Sequence, residues 1–274
     1  MKATRSIARQ ELSQMLRSDW LLLYAALFGL LALGISYIGQ RNLGDIGFQN
    51  FSRTTASLLN LCLLLTPLIA LSLGAGAIAG MRDRGSLTYM MSQPISPVEL
   101  LLGKAAGVFA SVALASTVGF GLAGIVIAFY APSLDAGLYL MLWVLVVALA
   151  AVMVALGVLA SVLTRSRAQA TGLALVGWFV FVLFFDLVLI GLLSVSNIGG
   201  AGMLTTLLLN PVEIVRVLAV IHLEPELNVL GPFGAYVLDE LGVAWATVLL
   251  SASLAVWLIV PLALALWVFQ RNHE

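Results

Sequence analysis

The chain has 274 residues, 62% of them hydrophobic and 9% charged, with a mean hydropathy of +1.09. A water-facing domain carries about 25% charged residues, so a soluble fold lacks the polar surface it would need here. The 13 basic and 13 acidic residues balance, which argues against a nucleic-acid binder, and a single cysteine excludes an intrachain disulfide or a cysteine-built zinc site.

A helix needs about 20 apolar residues to cross about 30 Å of hydrocarbon. The predicted fold is therefore all-α and polytopic, with little chain left over for a soluble domain. Residues 1–19 open it. Ile7, Leu12, Met15, Leu16 and Trp20 recur at near-helical spacing opposite Arg5, Arg9, Gln10 and Arg17, the pattern of an amphipathic helix lying along a membrane surface. No small-x-small cleavage pattern follows, so this segment is expected to be retained.

Charged residues punctuate the rest. The stretches 20–40, 54–81, 105–134, 136–164 and 241–270 are uncharged, and 168–212 contains one carboxylate, Asp186, before its loop signals begin at 194–200. The predicted spans are 20–39, 56–80, 100–130, 138–164, 171–193 and 242–270. Six spans place both termini on one side. That side gathers ten of the basic residues, including Arg5, Arg9, Arg82, Arg84, Arg165 and Arg167, against Arg41, Arg53 and Arg216 on the other, so both termini are expected in the cytoplasm, before a tail at 271–274.

Within the spans, Pro67 and Pro261 are expected to kink their helices. Gly76/Gly80 and Gly103/Gly107 have the spacing that lets helix backbones approach closely. Asp186 is the single carboxylate inside an expected span and must face protein or water, since a carboxylate at depth costs about 2.5–3.5 kcal/mol. A place at a subunit interface or cargo path and a purely structural bond to a neighbouring helix are equally open. One aspartate without an intramembrane histidine gives no basis for an intramembrane enzyme.

The loop 81–99 has a local design. Gly85 lets the chain leave the second span, Ser86 is placed to cap a short helix over 87–91, and Pro94 ends it. Ser96, Pro97 and Glu99 then form a capping-box start for the third span. Tyr89, Met90 and Met91 give the short helix an apolar, adaptable surface that a partner could grip. On the opposite side, 194–240 carries two short apolar runs broken at Asn210-Pro211 and is rich in acids (Glu213, Glu224, Glu226, Asp239, Glu240). Cys62, His222, His273 and the adjacent Met90-Met91 have no metal-ligand spacing, so no metal site is expected.

The segment from Gly85-Ser86-Leu87 through Pro94, Ser96 and Glu99 to Gly103-Lys104 resembles the loop between spans two and three of ABC-2 type permeases. Ile7 through Arg17 resembles that family's interfacial elbow helix, and the likeness covers nearly the whole chain. Ser86 and Pro97 stand where that family usually has Thr and Arg. The residues from Gly172 through Trp178 to Asp186, and Leu207 through Asn210, Pro211 and Glu213 to Arg216, resemble the permeases of nitrous-oxide-reductase maturation systems. The resemblance implies a non-catalytic membrane subunit working as a homodimer with a pair of cytoplasmic ABC ATPase subunits, which hold the ATP and Mg. No phosphate-binding Gly-x-x-x-x-Gly-Lys-Ser/Thr occurs in this chain.

It further implies that Gly85, Ser86, Leu87, Tyr89, Met90, Met91, Pro94 and Glu99 couple to the ATPase. A periplasmic β-helical protein, and with it a copper chaperone, would meet the outer loop, for which Asn210, Pro211, Glu213 and Arg216 are the expected contacts. The implied task, from the bacterial inner membrane, is transport or mechanical work at the periplasmic face in assembly of the copper–sulfur centre of nitrous oxide reductase. The alternative is an ABC-2 exporter of a lipid, glycan or drug-like cargo.

Overall fold

The computed structural model describes residues 2–41, 47–130, 136–188, 191, 199–223, 227 and 230–271, and among them all regular structure is helical. Outside the described residues lie the connections at 42–46 and 131–135, the end of the fifth expected span with most of its loop signal, Glu224, Glu226, and 272–274 with His273.

The helices are α1 (Lys2–Met15), α2 (Asp19–Arg41), α3 (Gly47–Asp83), the short α4 (Ser86–Met91), α5 (Pro97–Tyr130), α6 (Ala136–Leu163) and α7 (Arg167–Phe179). A wide π-helical turn, Val180–Phe184, prolongs α7. Then come α8 (Gly200–Leu208), α9 (Pro211–Leu223), α10 (Gly231–Tyr236) with a second π turn at Val237–Leu241, and α11 (Val243–Arg271). Most long helices begin or end at the charged residues or prolines that bracket the apolar runs, because a charge is cheap only at the polar margin. Pro97 occupies the first position of α5, where its missing N–H costs nothing.

Five helical stretches are long and apolar enough to cross a membrane alone: Thr55–Asp83, Pro97–Phe129, Ala136–Leu163, Arg167–Val188 and Val243–Arg271. Two bent pairs, Ala3–Met15 with Asp19–Ile35 at 66° and Gly202–Leu208 with Pro211–Leu223 at 118°, bring the possible total to seven. The expected six corresponds to counting α2 and leaving the α8–α9 pair out. On α11, Trp245 and Trp267 are both exposed and stand about 33 Å apart at 1.5 Å per residue, close to the spacing of the two interfacial tryptophan belts.

The centre of the bundle is α3 against α6. In the most apolar window of α3, 61% of the residues are buried, against 11% for α7. Gly74 and Gly157 let the two backbones meet. A Cβ at Gly74 would stand 2.8 Å from the Val154 carbonyl oxygen, and one at Gly157 would stand 3.0 Å from the Ala75 nitrogen. The Ser161 hydroxyl also accepts from Ile78 N and Ala79 N at 2.9 and 2.8 Å.

Around this pair, α2 and α5 meet through Tyr24 and Phe28, which stack at 5.6 Å. Tyr24 Oη bonds Ser116 Oγ at 3.1 Å and Thr66 Oγ1 at 3.3 Å, tying three helices. Gly119 makes room for the Phe28 ring.

The two glycine pairs read from the sequence behave differently. Gly103 and Gly107 seat α1: a Cβ at Gly103 would lie 2.8 Å from Ile7, and one at Gly107 2.8 Å from the Ala8 carbonyl oxygen. Gly76 and Gly80 face no helix backbone. Their nearest outside neighbour is the Arg167 side chain, 3.9 Å from a Cβ at Gly76 and 3.7 Å from one at Gly80. The expected helix–helix contact there is thus a bed for an arginine, because α7 begins just beside α3 rather than against it.

Candidate functional site

Gly85 adopts φ 69°, a left-handed conformation, and this single residue turns the chain from α3 into α4. A Cβ there would meet nothing within 4 Å, so the constraint is conformational rather than steric. The αL region costs an L-residue about 1–2 kcal/mol. Gly85→Val is accordingly expected to loosen α4, with amide exchange in 86–91 faster by about 5- to 30-fold; unchanged exchange would show that the turn tolerates a side chain.

Two readings of α4 need correction. Ser86 does not cap it: no side chain accepts from the first turn, and the Ser86 hydroxyl instead donates to the Met81 carbonyl at 3.3 Å. Leu87 does not face outward, being buried at 7% exposure beneath the helix; it is the anchor that holds α4 to the bundle. The outward surface consists of Tyr89, 68% exposed, with Thr88 and the exposed Ser92, Gln93 and Pro94, while Met90 and Met91 are half-buried. Ser96 and Glu99 exchange capping-box bonds, Glu99 N to Ser96 Oγ at 3.2 Å and Ser96 N to Glu99 Oε2 at 3.4 Å, which fixes where α5 starts.

Behind α4 the bundle end is clasped by charge. Glu11 of α1 and Lys104 of α5 form a buried ion pair. This corrects the reading of α1 as apolar against basic, since its inward face contains Ile7 and Glu11 while Leu16 and Trp20 are exposed. Arg82 donates to the Thr164 carbonyl, and Asp83 accepts from Arg167 N at 2.8 Å. The α6–α7 connection is thereby tied to the last turn of α3.

At the other end, α8 and α9 fold into the bundle as a hairpin. Asn210 sits at its tip. Its amide accepts from Val212 N at 2.9 Å and donates to the Phe181 carbonyl at 2.7 Å, inside the wide turn of α7. Trp257, midway along α11, donates to the Leu208 carbonyl at 3.0 Å. The tip therefore lies near the middle of the spans, and Asn210, Pro211 and Glu213 are buried. They cannot be surface contacts for a partner, because the hairpin points inward. An uncapped carbonyl or amide at that depth is costly, and Asn210 serves both helices and α7 at once.

Arg216 grips two acids. Its guanidinium donates to both Asp186 oxygens, at 3.1 and 3.3 Å, and Nη1 lies 2.7 Å from Glu213 Oε1. That second approach is close but poorly aligned, leaving Glu213 Oε1 and Arg216 Nε without hydrogen-bond partners among the described residues. Asp186 keeps 36% of its side chain exposed and Glu213 only 4%. Of the two readings of Asp186, a bond to a neighbouring helix is present. Cys62 is buried in α3, and His222 Nδ1 bonds the Leu218 carbonyl at 2.8 Å.

Comparison with known proteins agrees with this architecture. The profile of the ABC-2 family transporter proteins matches residues 5–273. A probable ABC transporter permease protein NosY of Stutzerimonas stutzeri is 35% identical over 282 residues, covering 99% of both chains. A protein of the same description from Pseudomonas aeruginosa PAO1 is 37% identical over 224 residues, 80% of this chain and 82% of that one. The chain is a multi-pass membrane protein and belongs to the ABC-2 family of transporter proteins.

Proposed function

We propose that the chain is the permease subunit of an ATP-driven complex in the bacterial inner membrane, with six spans and both termini in the cytoplasm. Two copies would pair with two ATPase subunits that hold ATP and Mg, this chain supplying no catalytic group. The work is delivered at the periplasmic face, in assembly of the copper–sulfur centre of nitrous oxide reductase. The similarity to a protein described as NosY over 99% of the chain supports that task.

The observation that carries the coupling role is α4, a six-residue helix anchored by one buried leucine with an exposed tyrosine on its outer side. An exposed aromatic of this kind is the usual centre of a binding hot spot. Since Asn210, Pro211 and Glu213 are buried, the periplasmic contact is reassigned to the exposed Leu238, Asp239 and Glu240 after α10.

Purification of the tagged chain from its native membrane, with its stoichiometric partners identified, tests this. An ATPase together with a periplasmic solenoid protein is the expected result. An ATPase alone would support the exporter of lipid, glycan or drug-like cargo. Tyr89→Ala is expected to weaken ATPase retention by about 30-fold or more, as for a hot-spot residue, with the unfolding midpoint unchanged. Full retention would remove α4 from the interface.

A further inference from the structure

We propose that the α1/α3/α7 bay binds one anionic phospholipid of the leaflet on the side of the termini, as a resident lipid rather than a cargo. The bay has two continuous parts. Its polar part is a cavity of about 220 Å³ lined by Gln14, Ser18, Ser72, Arg84, Lys104 and Arg167, with Glu11 at its wall. The second part is an apolar groove of about 290 Å³ that shares Trp20, Ser72, Leu73 and Arg167 with the first and continues along Leu68, Ile69 and Leu175.

The charge is not self-neutralised. Glu11 is matched by Lys104, and Asp83 meets the backbone N–H of Arg167. Among the described residues, no ion pair engages the guanidinium of Arg84 or Arg167. Two cationic forks with hydroxyl and amide donors around them suit a phosphodiester, since arginine binds phosphate in bidentate fashion. The glycine face of α3 at Gly76 and Gly80 gives the Arg167 stem its bed, and the exposed guanidinium lines this cavity.

From Leu73 to Leu68 the apolar groove runs about 8 Å along α3, about half of a ~15 Å leaflet, with the polar cavity continuing beyond it to Ala77. Its mouth is flanked by the apolar outward faces of α2 and α7, including Leu22, Leu23, Val176 and Phe179. Trp20, 62% exposed, stands where the polar and apolar parts join, the depth at which tryptophan partitions. A cation pair at the headgroup level over an apolar slot that seats the first part of an acyl chain is complementary to an acidic lipid.

The test is native mass spectrometry of the full chain in detergent, titrated with phosphatidylglycerol or phosphatidylcholine. The expected result is one phosphatidylglycerol bound in preference to phosphatidylcholine. Arg84→Gln with Arg167→Gln should weaken it about 30-fold, at about fivefold per basic side chain near a membrane surface. Arg84→Lys with Arg167→Lys should keep the preference, and so should Arg165→Gln, an exposed arginine outside the bay. Equal binding of the two lipids, equal loss with Arg165→Gln, displacement by millimolar inorganic phosphate, or a second copy of the chain occupying the bay would overturn the proposal. Because the assay needs no ATPase, it stands or falls separately from the coupling role.

Discussion

Lys104→Met is expected to be among the most damaging single substitutions in the chain, lowering stability by about 3–5 kcal/mol. Lys104 and Glu11 are 93 residues apart in sequence and both buried, with 10% and 4% of their side chains exposed. Removing the ammonium leaves the Glu11 carboxylate, 4% exposed, without its counter-charge in the seam where Gly107 lets α1 approach α5 closely. The pair itself contributes little net stability, because desolvation of both ions offsets most of their attraction. Glu11→Leu combined with Lys104→Met should therefore recover most of the loss. Urea or thermal unfolding of the solubilised chain, with protease sensitivity of residues 1–18, measures both variants. A double variant as unstable as the single one would show that the pair is not the reason.

Arg216→Met should cost a similar amount, about 3–5 kcal/mol. It leaves Glu213 buried beside Asp186 with no counter-charge. Asp186→Asn should be far milder, about 1 kcal/mol or less, since Arg216 keeps Glu213 as its counter-charge and the amide can still accept from the guanidinium. The asymmetry is the diagnostic feature: Arg216 serves two acids, whereas Asp186 serves one arginine. If Asp186→Asn keeps the fold but abolishes activity of the assembled complex, the carboxylate has a task besides its bond to Arg216. Equal destabilisation by both variants would contradict the geometry.

Hydropathy and charge made the helical class legible, because an isolated charge inside a bilayer is expensive whatever it packs against. Helix starts at Pro97 and Pro211 were legible for the same local reason. Pairing was not. Gly74 and Gly157 lie on different helices, and the small-residue pairs Ala70/Gly74 and Gly157/Ser161 that mark them do not say which helix meets which. Gly76 and Gly80 have the right spacing, yet spacing is silent on what fills the space they leave.

Leu87 looked like contact surface because a short loop helix gives no periodicity from which to find its inner side. Asn210 and Pro211 read as an outer-loop break, and nothing in one dimension says that the break points inward. In α7 and α11 most side chains are apolar all round, since lipid and protein interior make the same demand. The buried face of such a helix is invisible until its neighbours are known.

The contact between α3 and α6 has a mechanical meaning. With no layer of side chains between Gly74 and Gly157, neither helix can roll or slide without backbone striking backbone. The two form a single stiff beam, further pinned by Ser161 at one end. Any motion started at α4 is delivered to this beam as a whole, and the joints that give way must lie elsewhere. The inserted hairpin, held by Asn210 and Leu208 to α7 and α11 rather than to the beam, is such a joint.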